Sequence, residues 1–163
     1  MIALELTDVK DFMNKILLTD TFDHFLLSEA TVVTYNSFII DGHINKEFFS
    51  EEELQEFAGD TISKWSQIRP FCLQQIKGKK QPLSFKFIYL LSNADTVKFI
   101  EESGLNYTKE DVNGLTFHIS FRNNQLSCVT GTSLKTFTLD KSLEQYWDKQ
   151  VQEFLKKSEI AYE

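Results

Sequence analysis

Apolar and polar residues repeat at two different periods along the chain, and the changes of period predict its elements. Spacings of three and four residues predict helices that begin at Asp8, Ser50, Asp95 and Asp140. Alternation at every second residue predicts strands at residues 2–6, 83–91, 115–121, 125–130 and 134–139. The pattern therefore predicts an α+β fold with an antiparallel sheet, helices packed mainly on one face, and a long C-terminal helix.

Local turn and cap residues mark the ends of several elements. Ser50 and Glu53 form a capping box that opens one long helix, which is predicted to run to Lys77-Gly78. Asp41-Gly42, inside the β-rich stretch 25–44, is typical of a two-residue hairpin turn. Asn123-Asn124 predicts another turn, because asparagine tolerates the left-handed region.

The order strand, helix, strands, long helix occurs twice, in residues 1–80 and 81–163. This predicts either a pseudo-repeat of two halves or a chance likeness between amphipathic helices with acidic starts. With a true repeat, the two halves would share one sheet, an arrangement that resembles the saddle of the TATA-binding protein. The likeness is one of element order alone and implies no function. In both cases the chain is predicted to be a single domain, residues 1–163.

Charge is distributed unevenly along the chain. Residues 61–94 contain no Asp or Glu, but they include six cations: Lys64, Arg69, Lys77, Lys79, Lys80 and Lys86. The flanking segments are acidic, and the formal net charge of the whole chain is −7. We call these six residues the basic band. It predicts a surface for an acidic protein partner or for self-association, since complementary patches guide docking.

Arg69 is the most unusual residue of the basic band. On an ideal helix it lies about 40° from Trp65, inside the apolar stripe. A buried arginine has to be paired, so one interpretation is a salt bridge to an acid. A second is that Pro70 breaks the helix and turns Arg69 outward. A third is that Arg69 binds a small anionic ligand or substrate with its planar fork.

Nucleic-acid binding by the basic band is a weaker alternative, because the chain as a whole is acidic. Phe85 and Phe87 could stack on bases, but strand alternation places them on the face opposite Lys86. This favours aromatic residues in the core. Nucleic acid is thus an unlikely partner, although the sequence does not exclude it.

The residues that usually carry metal or nucleophilic chemistry are scattered. His24, His43 and His118 lack ligand spacing, so no metal and no cofactor are expected. Cys72 lies on an apolar helix face, where thiols are usually inert, and Cys128 is equally isolated. No residue is assigned a catalytic role, and a non-catalytic binding module is favoured over an enzyme.

The sequence also bears on the family and the location of the chain. Trp65-x3-Arg69-Pro70-x6-Lys77-Gly78-x3-Pro82-Leu83-Ser84-Phe85-Lys86-Phe87, with Ile40-Asp41-Gly42, resembles a family of small uncharacterised bacterial proteins classed as a domain of unknown function. The resemblance implies a cytoplasmic bacterial protein and no known activity. The longest apolar run, residues 87–91, is too short to cross a bilayer, so no membrane partner is expected.

Overall fold

The computed structural model describes residues 1–78 and 80–163, and its central feature is a six-stranded antiparallel sheet. The strands in chain order are β1 (Ala3–Glu5), β2 (Leu26–Val33), β3 (Ser37–Asp41), β4 (Ser84–Leu90), β5 (Val112–Arg122) and β6 (Gln125–Leu134). Their order across the sheet is β1-β6-β5-β4-β2-β3. Since β4 lies between β5 and β2, it is an interior strand, as its apolar composition indicates.

Within the described residues, five α-helices accompany the sheet, and the last one is the longest. They are α1 (Val9–Leu18), α2 (Glu51–Gln55), α3 (Trp65–Ile76), α4 (Asn93–Ser103) and α5 (Ser142–Lys157). Short 3-10 turns occur at Lys46–Phe48 and Lys109–Asp111. The predicted α+β class, with an antiparallel sheet and a long C-terminal helix, is confirmed.

The two faces of the sheet differ in burial. On one face Phe85, Phe87 and Tyr89 of β4 are buried, and Trp65 of α3 packs against Phe87 with ring centroids 5.2 Å apart. The opposite face keeps solvent contact, and we call it the open face; it carries Lys86, Ile88, His118, Ser120, Ser127 and Val129. Helices therefore cover mainly one face.

Several local predictions agree with the structure. The capping box of Ser50 and Glu53 is complete, with both reciprocal hydrogen bonds formed. Asn123 and Asn124 have φ of 52° and 60° and form the β5–β6 turn. Gly104, with φ of 68°, ends α4 as expected of a glycine in the left-handed region.

The long helix predicted from Ser50 to Lys77 is wrong, because the chain forms two helices with a non-helical segment between them. Ala58 and Gly59 have φ of 50° and 82°, which ends helical geometry after α2. Ile62 then pairs with His43 in an isolated bridge, and α3 begins only at Trp65. The helical spacing of apolar residues across this segment reflects packing of separate pieces against the same core.

Two predicted β features also differ. The β2–β3 turn lies at residues 34–36, and Asp41 is still paired with Glu29 at the end of β3. Gly42 is required for a close approach to the Leu27 carbonyl rather than for a turn. Residues 135–139 form no strand, and Phe137 and Leu139 remain exposed, because β6 already supplies the partner of β5 as far as Leu134.

The strand order bears on the pseudo-repeat, which stays a prediction. A repeat would make β1 and β4 equivalent. In the sheet, however, β1 is an edge strand beside β6, whereas β4 pairs with both β2 and β5. This difference gives a two-half saddle no support. One buried cluster contains residues as far apart in the chain as Leu4 and Ile160.

Tyr89 is fully buried in an aromatic group with Phe22, Phe25 and Phe117, and its hydroxyl has no partner among the described residues. A buried hydroxyl without a hydrogen bond is destabilising by about 1–3 kcal/mol. Tyr89→Phe is therefore expected to leave the free energy of unfolding unchanged or to raise it by about 1 kcal/mol in urea titrations.

Tyr107→Phe is the matched control for this prediction, because the Tyr107 hydroxyl donates a 2.9 Å hydrogen bond to Asp140. The control should lower stability slightly, since it removes a satisfied bond. A loss of more than about 1 kcal/mol in Tyr89→Phe would instead show that the buried hydroxyl makes a stabilising bond.

Candidate functional site

The described cations of the basic band do not form one surface. Lys64 and Lys77 flank opposite ends of α3, which as a 12-residue helix is about 18 Å long. Lys86 lies on the open face, and Lys80 is exposed in the loop before β4. Lys79 lies outside the described residues. The cations that are grouped in the sequence therefore lie on different parts of the folded chain.

Arg69 is paired inside the protein. Its Nε donates to Asp23 Oδ1 at 3.0 Å and its Nη2 donates to Asp23 Oδ2 at 2.8 Å, while Nη1 donates to the Leu17 carbonyl at 3.4 Å. Helix α3 continues through Pro70, so the proline does not break it. This geometry is a salt bridge to an acid, one of the three interpretations of Arg69. The carboxylate of Asp23 therefore occupies the guanidinium fork of Arg69.

Beside Asp23 lies a cavity of about 400 Å³, which we call the polar cavity. Three parts of the chain form its walls: the residues leading into β2, the segment between α2 and α3, and the start of α4. The lining side chains with polar or charged groups are Asp23, His24, Glu56, Asp60, Lys64, Ser66 and Ser92.

Backbone and side-chain hydrogen bonds hold the α2–α3 segment in place as a wall of the cavity. Asp60 Oδ1 accepts a 2.8 Å hydrogen bond from the Asn93 amide at the start of α4. The Ser63 amide donates to the Gly42 carbonyl at 2.7 Å, and the Leu27 amide donates to the Ser63 carbonyl at 2.8 Å. These bonds anchor the backbone of the segment, which carries Glu56 and Lys64 on either side of the anchored residues.

A second cavity of about 170 Å³ lies next to the first, and we call it the apolar slot. His24 lines both cavities, so the two adjoin at this side chain, and we call them together the cleft. The remaining walls of the apolar slot are Phe25, Leu91, Phe99, Phe117, Trp147, Gln150, Val151 and Phe154. The His24 ring packs against Phe25 at 3.9 Å and Phe154 at 5.5 Å between centroids.

Comparison with known proteins assigns the chain to a family. A family described as "family of unknown function (DUF5721)" matches residues 15–163. The chain belongs to this family. No curated protein and no solved structure matches it. Every residue that lines the polar cavity or the apolar slot falls within the matched range.

Protonation states in this DUF5721 protein limit what the cleft can do. Burial lowers the pKa of His24, and the charges of Asp95 and Asp23 offset the effect in part, so the neutral form of the ring is favoured at pH 7. Burial raises the pKa of Cys72 to about 12 and that of Cys128 to about 12. Both thiols therefore stay protonated, and neither is an activated nucleophile.

Three-residue metal clusters and membrane-spanning helices are both absent from the part of the chain that the structure describes. Within residues 1–78 and 80–163, no group of three His, Cys, Asp or Glu side chains is arranged to hold a metal ion. In the same residues no helix combines the length and the apolar character needed to cross a bilayer.

Sequence reasoning identified Lys64 as a candidate but missed most of the cleft. The sequence assigns no site role to His24, Asp23 or Asp60, and the position of Glu56 near a helix start is explained by the helix dipole. One indication of Asp23 did exist, since an arginine inside an apolar stripe requires an acidic partner. The position of that partner, 46 residues away in the sequence, depends on the tertiary fold.

Proposed function

We propose that this protein is a non-catalytic binding protein that holds a small amphipathic molecule in the cleft at His24. The observation that carries the proposal is the contact of His24 with both the polar cavity and the apolar slot. Ligand cavities in proteins usually measure about 300–1,000 Å³ and combine apolar walls with a few polar groups. The polar part of the ligand would lie near Lys64 and Glu56, and its apolar part among the aromatic rings.

A binding role is favoured over catalysis by the state of the reactive groups. The His24 ring has no side-chain hydrogen-bond partner within the described part of the chain, so no second side chain orients it as a general base. The two thiols are buried and protonated. Nucleophilic catalysis requires a base within hydrogen-bond reach of an activated nucleophile, and the cleft offers no such pair.

The other proposals from the sequence receive less support. An acidic partner or a second copy would have to contact cations that lie on separate surfaces. Nucleic-acid stacking would need Phe85 and Phe87, which are 3% and 0% exposed in the core. Anion binding by Arg69 would have to displace Asp23 from its fork. The cleft needs no such rearrangement.

Binding can be tested with three probes that share a phenyl group: phenethylamine, L-phenylalanine and 3-phenylpropionate. At least one should bind with a Kd of about 1 mM or tighter, as fits ligands of this size, in calorimetry and saturation-transfer NMR. Gln150→Trp places a bulky ring at the slot and should abolish this binding. Lys149→Trp adds the same ring to α5 at an exposed position that does not line the slot, and should leave it intact. Binding by none of the probes would contradict the proposal.

A further inference from the structure

We infer that the ligand is a zwitterion with an apolar side chain, the chemical class of an apolar α-amino acid. This inference rests on the proposed function and specifies the polar end of the ligand. The polar cavity carries two exposed opposite charges, on Glu56 and Lys64. They form no salt bridge with each other or with another described residue. Each is available to a ligand group of the opposite sign.

The other charges at the cavity are already compensated. The carboxylate of Asp23 receives two hydrogen bonds from Arg69. The carboxylate of Asp60 accepts the Asn93 amide at the N-terminus of α4, where the helix dipole favours a negative charge. The walls therefore offer one uncompensated anion and one uncompensated cation, an arrangement complementary to an ammonium and a carboxylate on the same molecule.

The position of Lys64 indicates that the carboxylate of the ligand binds at the end of the polar cavity next to Lys64. Lys64 is the N-cap of α3, and its side chain makes no capping hydrogen bond. Ser66, in the first turn of α3, also lines the cavity. The Trp65 and Gln67 amides of this turn already donate to the Phe25 and Lys64 carbonyls, so the helix dipole is what favours a negative group here. Glu56 at the end of α2 provides the matching site for the ammonium.

The apolar slot determines which apolar side chain the ligand can carry. Its volume of about 170 Å³ and its aromatic walls suit one aromatic or branched aliphatic side chain. His24 lines both the slot and the polar cavity, and its lowered pKa favours an uncharged ring there. A side chain in the slot would place the charged groups of the same molecule in the polar cavity.

The three phenyl probes separate the charge preference from binding itself, because they share the apolar group. L-Phenylalanine should bind about tenfold more tightly than phenethylamine or 3-phenylpropionate in calorimetry. Glu56→Gln should weaken the two probes that carry an ammonium and spare 3-phenylpropionate. Lys64→Gln should weaken the two that carry a carboxylate and spare phenethylamine. Both positions are exposed, so circular dichroism should show folded variants.

Control variants remove the same charges from positions outside the cavity. Glu52→Gln alters the exposed first turn of α2, and Lys77→Gln alters the opposite end of α3; neither should change any affinity. Equal affinity for all three probes, or tighter binding of either singly charged probe, would overturn the zwitterion inference and leave the proposed function standing. Binding by none of them would overturn both.

Discussion

Replacing Gly42 with alanine is expected to destabilise the fold by about 3 kcal/mol or more, the largest effect of any substitution considered for this chain. A Cβ at this position would lie 1.8 Å from the Leu27 carbonyl oxygen and 2.8 Å from its carbon. Both atoms belong to the backbone of β2, so no side-chain rotation relieves the clash. Gly42 also donates to the Ser28 carbonyl and accepts from the Ser63 amide, so a shift would disturb the segment that carries Lys64.

Gly114→Ala is the matched control for this prediction, because a Cβ there would meet only the Thr116 methyl group at 3.9 Å. Urea denaturation of the two variants should show a large loss for Gly42→Ala and a loss of less than about 1 kcal/mol for Gly114→Ala. Equal stability of the two variants would contradict the close packing of Gly42 against β2.

Replacing Arg69 with glutamine is expected to lower the free energy of unfolding by about 2–3 kcal/mol. The substitution leaves the carboxylate of Asp23 without the two hydrogen bonds of its partner. The side chains of Arg69 and Asp23 are 23% and 21% exposed, so residual solvation keeps the loss below that of a fully buried pair. Arg69→Lys should recover only part of the stability, because an ammonium cannot reproduce the bidentate geometry.

A double-mutant cycle with Asp23→Asn isolates the interaction between the two side chains. The double variant should be less destabilised than the two single variants predict together, with a coupling energy of about 2 kcal/mol. Arg122→Gln, at an exposed arginine on β5, provides the control and should change stability by less than about 0.5 kcal/mol. A coupling energy near zero would contradict the structural role of the Arg69–Asp23 pair.

The sequence predicted the elements whose limits depend on local chemistry. The caps at Ser50 and Gly104 and the turn at Asn123-Asn124 are such cases, since neighbouring residues alone determine them. The period-2 pattern of β4 likewise predicted which face is buried, because every second side chain of a strand points the same way.

The failures occur where tertiary contacts override a local pattern. Residues 54–65 have helical spacing, yet the chain leaves the helix at Ala58 and Gly59, and Ile62 pairs with His43 instead. Asp41-Gly42 has the composition of a hairpin turn, yet Gly42 is needed for its approach to Leu27. Neither contact can be predicted from neighbouring residues in the sequence, because its partner lies in a different element.

The site was predictable only in part for the same reason. Helical geometry placed Arg69 among apolar residues, and from this the need for an acidic partner follows. The polar cavity is formed by three segments that are far apart in the sequence, and only the folded chain brings His24 next to Glu56 and Ser92. Uneven charge along the sequence indicated the basic band, but α3 and β4 carry those cations to different surfaces.

The most direct test of the cleft is to locate a bound probe by backbone-amide NMR during a titration with L-phenylalanine. The account predicts that the amide resonances of His24, Lys64 and Val151 shift together and saturate at a single Kd, because all three residues line the cleft. Lys86 and Ser120 on the open face should not shift. Shifts confined to the open face, or no change at His24 and Val151, would contradict the assignment of the cleft as the binding site.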